Sequence, residues 1–438
     1  MPVLAAALFL VGCLGDGEPG GGSLSDPGAD SPSGPGAASR AAASCLQAAD
    51  PRQPADRRPA VVALLGDIDR YPSELRGPVN RLVRISLPDG AVQARRALGP
   101  RWKPGDIDRL DALGLRNDSG PLLAPAPDGR TVLALVRYPV AGRSSVAVVD
   151  ARSLRVRCSH PLAPGVQYSG LLLGRSGTIY AVGARRSGRS RWDSVLTMVD
   201  ADTGEQLGGR TLREADQTPR VRFGKGWWAY RAALSPDERR LIVSYHGGDT
   251  TGADAFRVSP GAGVFGEAPE RGCRAAVPPS RCRSDRTDIG LAHGAVTATG
   301  AGFVAATGGH AMLRLDRRGR ETGRLRLKGH LGHLMDFAID AKRKLLYVSA
   351  CGSRPGILRV ELARGREKSI ASGDFCGPPL AVHAGRFLVL NAARVDRAGY
   401  RGWRSEALRL LDLRRPGAGR PIPRSTGALD AVVVGDRR

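Results

Sequence analysis

The stretch 127–157 reads PDGRTVLALVRYPVAGRSSVAVVDARSLRVR, and its order of elements recurs along the chain. A Pro-Asp-Gly turn leads into an apolar strand, and a loop then leads to a second strand that ends in Asp150. A short polar turn follows, and then a third strand begins. Short strands with period-2 alternation, separated by turns rich in Gly and Pro, predict an all-β structure.

Six further segments have the same order of turn, apolar strand, loop and second strand. The apolar strands of the seven copies begin near residues 61, 131, 178, 241, 303, 345 and 387, with spacings of 42 to 70 residues. Such spacings suit four-stranded propeller blades with insertions. We therefore predict a seven-bladed β-propeller over residues 45–438. Two separate β domains are the alternative, but no second stretch of linker composition divides the repeats.

Closure of the ring adds a second prediction, because a propeller must pair its first and last blades or leave open strand edges. The first copy lacks an innermost strand before residue 60, whereas the chain ends with a surplus strand, ALDAVVVG at 428–435. We predict that this C-terminal strand becomes the innermost strand of blade one.

Three copies resemble the repeats of a known family. Val148-Val-Asp150 with its turn, the segment 198–204 (MVDADTG) and Leu346-Tyr-Val-Ser349 look like repeats of YVTN-type, lactonase-like bacterial propellers. The resemblance covers about residues 58–436 and implies a seven-bladed fold. That family includes sugar-lactone hydrolases and surface proteins without known chemistry. No motif carries catalytic residues over to this sequence, so they remain unassigned.

The first 44 residues predict an exported, anchored protein. Residues 1–12 contain an apolar run of signal-peptide size, and Leu10-Val-Gly-Cys13 resembles the bacterial lipobox, which implies cleavage before Cys13 and its lipidation. No Lys or Arg precedes the run, which leaves open whether the start lies upstream. Residues 13–44 are rich in Gly, Pro, Ser and Ala, as in a flexible linker. The alternative is a soluble protein with an apolar N-terminus.

The charge is strongly positive, with 66 Lys+Arg against 42 Asp+Glu and a formal net charge of +24. Only six of these basic residues are Lys, and the Arg residues are spread along the chain as the polar members of strands. This spread favours a solvated surface over a specific nucleic-acid site. Adhesion to polyanions, which would weaken as salt rises, remains the alternative.

Cysteine use agrees with export. Without Cys13 there are six cysteines, an even number that suggests disulfides in an exported protein, although six allow 15 connectivities. The pairs that we expect are Cys273–Cys282, Cys351–Cys376 and Cys45–Cys158.

Binding residues are expected in the long loops on one side of the propeller, where loops on a rigid scaffold commonly carry function. Three loops stand out, 66–80, 245–255 and 391–407, and the second is the densest in polar groups. The candidate ligand-binding residues are Asp67, Asp69, Tyr71, His246, Asp249, Thr250, Thr251, Asp254, Tyr400 and Trp403.

Histidine placement suggests a metal site on the same side. A divalent cation could be held by His246, Asp249, His293, His310, His330 and His333. The competing interpretation is that these are exposed loop residues and capped turns.

The sequence thus predicts a lipid-anchored, extracytoplasmic propeller that binds a protein or a cell-envelope polymer at the bacterial cell surface. We expect a monomer with no specific nucleic-acid partner. No cofactor is predicted, and a divalent metal is left as an alternative. The alternative is a lactonase-like or other hydrolase with a site on the loop side.

Overall fold

The computed structural model of this chain describes neither the signal-like segment nor most of the linker. The structure describes residues 44–46, 59–65, 80–87, 89–99, 122–138, 143–188, 191–213, 225–226, 228–235, 237–247, 250–258, 296–299, 302–306, 311–317, 321–327, 332–340, 342–352, 356–372, 379–394, 404–415, 419–423, 425 and 428–435. Within these ranges there is no helix long and apolar enough to cross a membrane.

The described residues form strands, turns and loops without a helix, and the strands build seven small sheets. Numbered along the chain, the strands of the first three blades, from first to last in each sheet, are β28 (Ala428–Val434), β1 (Ala60–Leu65), β2 (Arg81–Ser86) and β3 (Val92–Ala97); β4 (Leu123–Pro125), β5 (Thr131–Arg137), β6 (Ser144–Asp150) and β7 (Val156–Pro161); and β8 (Val166–Leu173), β9 (Thr178–Gly188), β10 (Arg191–Asp200) and β11 (Gln206–Arg213). A two-residue strand, β12 (Lys225–Gly226), adds to β10 in parallel.

The other four blades follow the same order. They contain β13 (Trp228–Leu234), β14 (Arg240–Gly247) and β15 (Thr250–Arg257); β16 (Val296–Ala298), β17 (Gly302–Ala306), β18 (Ala311–Asp316) and β19 (Glu321–Arg326); β20 (Gly332–Asp340), β21 (Leu345–Gly352), β22 (Gly356–Glu361) and β23 (Glu367–Ser372); and β24 (Pro379–His383), β25 (Phe387–Arg394), β26 (Arg404–Asp412) and β27 (Arg420–Pro421).

First strands of successive blades contact one another, which makes them the inner wall of a ring. The contacting pairs are β28–β4, β4–β8, β8–β13, β13–β16, β20–β24 and β24–β28. The prediction of an all-β, seven-bladed propeller is therefore confirmed, and each predicted apolar strand is the second strand of its blade.

The C-terminal strand closes the ring as predicted. β28 pairs antiparallel with β1, in a register that runs from Ala60 opposite Val434 to Leu65 opposite Ala428. Asp430 on β28 also accepts hydrogen bonds from the backbone nitrogens of Leu122 and Leu123, at 2.7 and 2.8 Å. The last strand of the chain thus joins blade one to blade two as well as completing blade one.

The second strands are continuous apolar runs rather than alternating ones, because both of their faces are covered. On β1, Val62 and Leu64 pack into the core cluster shared with blade two, whereas Val61 and Ala63 pack into the cluster shared with blade seven. All six residues of β1 are buried. Alternating exposure is seen where one face meets solvent, as in the first four residues of outer strand β3.

The Asp at the end of the third strand is explained by the turn that follows it. One oxygen of Asp150 accepts hydrogen bonds from Ser153 N and Ser153 Oγ, both at 2.8 Å. Asp200 binds Thr203 N and Thr203 Oγ1 in the same way, at 2.8 and 3.1 Å. These aspartates cap turns of the same kind. Their recurrence is therefore explained by the turns of the fold and does not indicate a catalytic site.

Candidate functional site

The ring has two different faces, because the strands of each blade alternate in direction. We call loop face the side with the second-to-third strand connections and the blade-to-blade connections. We call turn face the opposite side, which carries turns such as 150–154 and 200–204. The described turns of the turn face are short and internally hydrogen-bonded, so a binding surface is expected on the loop face.

Inner strands share an irregularity at their loop-face ends. Register shifts occur near the first residues of β8, β13, β20 and β24, and residue 429 of β28 is likewise extra relative to β1. Such bulges change the direction of side chains, and they are common beside functional sites. The irregularity thus recurs in five inner strands at the loop-face mouth of the ring, although third and fourth strands also show register shifts near the turn face.

The segment 245–255 is not the loop that the sequence analysis expected. β14 continues to Gly247 and β15 begins at Thr250, with His246 opposite Thr251 and Val243 opposite Asp254. Only two residues, Gly and Asp, connect the strands, and such a pair is a hairpin signal. Thr250, Thr251 and Asp254 are therefore strand residues distributed along β15 rather than members of one loop cluster.

The structure tests few of the other candidate residues that were predicted from the sequence. His333 lies on β20 opposite Cys351 of β21. Outside the described residues lie Cys13, Asp67, Asp69, Tyr71, Asp249, Cys273, Cys282, His293, His310, His330, Cys376, Tyr400 and Trp403. The ligand and metal sets therefore stay predictions.

Cysteine pairing is visible at one place, where Cys45 is joined to Cys158 on β7. On either side of Cys45, Ser44 Oγ and Leu46 N both donate to Asp202 Oδ1, the latter over 2.7 Å. This clasp, residues 44–46 held by Cys158 and Asp202, ties the start of the described chain to outer strand β7 and to a turn-face turn of blade three. The sequence suggested the disulfide, but it contained no signal for the role of Asp202.

A buried histidine supports the clasp. His160 is 5% exposed, and its Nε2 lies 2.8 Å from the carbonyl oxygen of Ala201. Ligand-type atoms of Cys45, Cys158 and His160 lie within 4.8 Å of one another, the only group with such spacing in the part of the chain that is described. Because the two sulfurs are bonded to each other, they are not thiolates and do not act as metal ligands in this state.

Among the described residues of the loop face, the longest projection is a raised hairpin in blade three, formed by the ends of β9 and β10 (residues 184–188 and 191–193). These are the longest described strands, with 11 and 10 residues. Inner strand β8 begins at Val166 opposite Arg185, so the hairpin extends beyond it. Arg185, Arg186 and Ser187 are exposed there.

The raised hairpin is braced by polar contacts. Asp193, which is 9% exposed, accepts a hydrogen bond from Ser187 Oγ at 2.9 Å and pairs with Arg185 at 3.9 Å. Arg185 also donates to Thr211 Oγ1 on β11 at 3.3 Å, and Arg186 Nε donates to the carbonyl oxygen of Gly188 at 3.0 Å. Two guanidinium groups are thus presented on a stiff projection.

Sequence reasoning missed this hairpin, although a signal was present. Residues 183–192 read GARRSGRSRW, with four arginines in ten positions. Arg is abundant throughout this chain. Because it was taken to be evenly spread, the cluster of four arginines in this segment was overlooked.

A second missed feature is a half-buried arginine where three blades meet. Asn80, beside blade one, donates from Nδ2 to the carbonyl oxygen of Arg137 at 2.8 Å, and the Arg137 backbone nitrogen donates back to Asn80 Oδ1 at 3.4 Å. The Arg137 side chain crosses to blade three, where Nε donates to the carbonyl oxygen of Tyr168 at 3.1 Å. Burial lowers the pKa of Arg137 to about 10, so the group stays cationic at neutral pH.

Tyr168 itself is fixed within blade three. Its hydroxyl lies 2.6 Å from Thr197 Oγ1, and the side chain is fully buried. Burial raises the pKa of Tyr168 to about 12 despite this hydrogen bond. Tyr168 is therefore a neutral, positioned residue whose carbonyl oxygen sits at the bulge of β8.

Comparison with known proteins gives the fold alone. No protein-family model and no curated protein sequence matches the chain. A puromycin hydrolase mutant complexed with PGG is similar in structure, with 18% identity, a TM-score of 0.51, and coverage of 83% of this chain and 53% of that chain. The present chain thus spans about half of that hydrolase, and the likeness shows a shared propeller fold.

Two other solved structures are also similar. For Pseudomonas aeruginosa periplasmic gluconolactonase, PpgL, the identity is 16%, the TM-score is 0.47, and the coverage is 81% of this chain and 99% of that chain. Dihydro-heme d1 dehydrogenase NirN in complex with DHE gives 13% identity, a TM-score of 0.45, and coverage of 89% and 78%. The chain is a seven-bladed β-propeller.

Proposed function

We propose that this chain is an exported, lipid-anchored propeller that binds an anionic partner at the bacterial cell surface through its loop face. The observation that carries the proposal is the raised hairpin, which presents exposed Arg185 and Arg186 in a braced geometry. Pre-organised guanidinium groups suit carboxylates and phosphates, which accept their paired N–H donors. A protein or a cell-envelope polymer rich in such groups is the partner that fits.

The clasp supports the extracytoplasmic part of the proposal. Disulfides persist in oxidising compartments, and Cys45–Cys158 is placed where it secures the start of the described chain. Because residues 44–46 are held beside a turn-face turn through Asp202, an attachment there leaves the loop face accessible.

Successive residues of a strand point to opposite faces, so Arg185 and Arg186 lie on different sides of the hairpin ribbon. Arg186 is opposite Trp192 and Arg185 is opposite Asp193. A flexible polymer or a protein loop can contact both sides of such a ribbon, whereas a flat lipid surface meets only one. This arrangement favours a chain-like partner over the membrane itself.

The test is co-sedimentation of the purified full chain with isolated cell envelopes over a range of NaCl concentrations. The double variant Arg185→Gln/Arg186→Gln should bind several-fold more weakly at low salt, and it should lose most of the salt dependence. The matched control is Arg152→Gln/Arg155→Gln, which removes the same charge from exposed turn-face residues and should bind like the wild type.

Equal loss in both double variants would mean that net charge, and not the raised hairpin, drives binding. The anchor is tested separately by Cys13→Ala, which should move the protein from the membrane fraction to the soluble fraction. Unchanged membrane retention would exclude lipidation at that residue as the anchor.

A further inference from the structure

The junction of Asn80, Arg137 and Tyr168 contains a polar group without a partner among the described residues. Nη2 of Arg137 is buried, and no described residue forms a hydrogen bond with it. Within the described part of the chain, the guanidinium forms no ion pair with a carboxylate, and Nε donates a hydrogen bond to the carbonyl oxygen of Tyr168. Nη2 is thus left without an acceptor from the described residues.

This arrangement is costly unless something completes it. A buried donor without an acceptor costs about 1–3 kcal/mol, and a charged one costs more. Yet the position of Arg137 is fixed on both sides, by Asn80 at its backbone and by Tyr168 at Nε. A side chain that is held in place while its charged end lacks an acceptor has the form of a binding group.

Arg137 lies at the loop face of the ring. Arg137 is the last residue of β5, at the loop-face end of blade two, and the residue is partly exposed although Nη2 is buried. The carbonyl oxygen that holds its Nε lies at the bulge of β8, near the mouth of the ring. A ligand that arrives from the loop face would meet the exposed part of Arg137 first, and it would reach the buried Nη2 only if neighbouring groups shift.

We propose that Arg137 anchors an oxyanion-binding site between blades two and three, which takes the carboxylate or phosphate group of a small ligand at the mouth of the ring. A planar guanidinium can donate two parallel N–H···O bonds to such a group, and one of these would come from Nη2. The site differs from the raised hairpin in its chemistry, because Arg137 would bind one group in a fixed geometry and this binding would not depend on overall charge.

The experiment is equilibrium dialysis of the full chain against radiolabelled phosphate and, separately, radiolabelled acetate, at constant ionic strength set with chloride. The wild type should bind one equivalent saturably. The anion with the higher affinity shows whether the site prefers a phosphate or a carboxylate group. Arg137→Gln should lower that affinity by more than about tenfold. Arg137→Lys, which keeps the charge but lacks the fork, should be intermediate, and it serves as the test if the Gln variant does not fold.

Arg155→Gln is the matched control, because it removes an equal charge from an exposed turn-face residue and should leave the affinity within about twofold. Equal binding by the wild type and both Arg137 variants would overturn the proposal. So would the absence of saturable binding to the wild type, which would mean that only water completes Nη2. Neither result would affect the proposed envelope binding, which is measured with different variants and a different partner.

Discussion

The stability of the propeller should depend on single aspartates of the turn face, and Asp150 allows the size of the effect to be worked out. Oδ1 accepts hydrogen bonds from Arg152 N at 3.1 Å and from the nitrogen and hydroxyl of Ser153 at 2.8 Å each. Oδ2 pairs with Arg157 at 2.7 Å, where the two side chains are only 22% and 15% exposed. Hydrogen bonds to charged groups contribute roughly 1.5–3 kcal/mol each, but bonds that share one acceptor do not add.

We therefore expect Asp150→Ala to lower the free energy of unfolding by about 2–4 kcal/mol at neutral pH. Asp150→Asn keeps an acceptor for the turn and loses the ion pair with Arg157, so about half of that loss is expected. The assay is urea unfolding followed by circular dichroism. The control is Glu205→Ala, an exposed residue in the matching turn of blade three, which should change stability by less than about 0.5 kcal/mol.

The pH dependence gives this prediction its sharpest form. Burial raises the pKa of Asp150, but hydrogen bonds from Ser153 and Arg157 outweigh it and hold the pKa below its usual value. A carboxylate with a lowered folded-state pKa contributes stability above its unfolded pKa of about 3.9, and this contribution is lost as pH falls through the folded-state pKa. The difference between wild type and Asp150→Ala should therefore shrink below about pH 4. A loss under about 1 kcal/mol at pH 7, or a loss that does not change with pH, would refute this account of the turns.

Three further predictions concern closure, backbone geometry and metal. Deleting residues 428–438 removes the strand that completes blade one, and the melting temperature should fall steeply; an unchanged value would contradict the observed pairing as the source of stability. Gly204 has a φ of +76° and faces Nδ1 of His160, so Gly204→Ala should cost at least about 1–2 kcal/mol in urea unfolding, whereas a neutral result would show that the turn adapts. Elemental analysis of chelator-free full chain tests the sequence-predicted metal set: one equivalent of a divalent ion, lost in His246→Ala/Asp249→Ala, would support the hydrolase alternative, and an equal content in both proteins would exclude that set.

The fold could be predicted from the sequence because its repeats are encoded locally. In each repeat a turn is followed by the buried second strand of the blade. Third strands of blades two and three end in an aspartate, Asp150 or Asp200, because that residue caps the turn that follows. The surplus strand at 428–434 could be placed because ring closure leaves it a single free edge, that of β1.

The candidate site was harder to predict, because it depends on contacts between blades. Arg137 and Asn80 are 57 positions apart in sequence, and nothing in either local pattern indicates that they meet. The clasp joins Ser44 to Asp202 over 158 positions. The prediction of a loop at 245–255 was wrong for a different reason. Its polar residues suggested a loop, but they belong to paired strands that continue to a two-residue turn.

The most direct test of the central claim, binding through the loop face, is site-specific photocrosslinking on intact cells. A photoreactive residue is placed at position 188 on the raised hairpin or at exposed position 205 on the turn face, both in the full-length chain. The account predicts crosslinks to an envelope component from position 188, lost when salt is raised, and none above background from position 205. Crosslinking that is equal at the two positions, or confined to position 205, would contradict it.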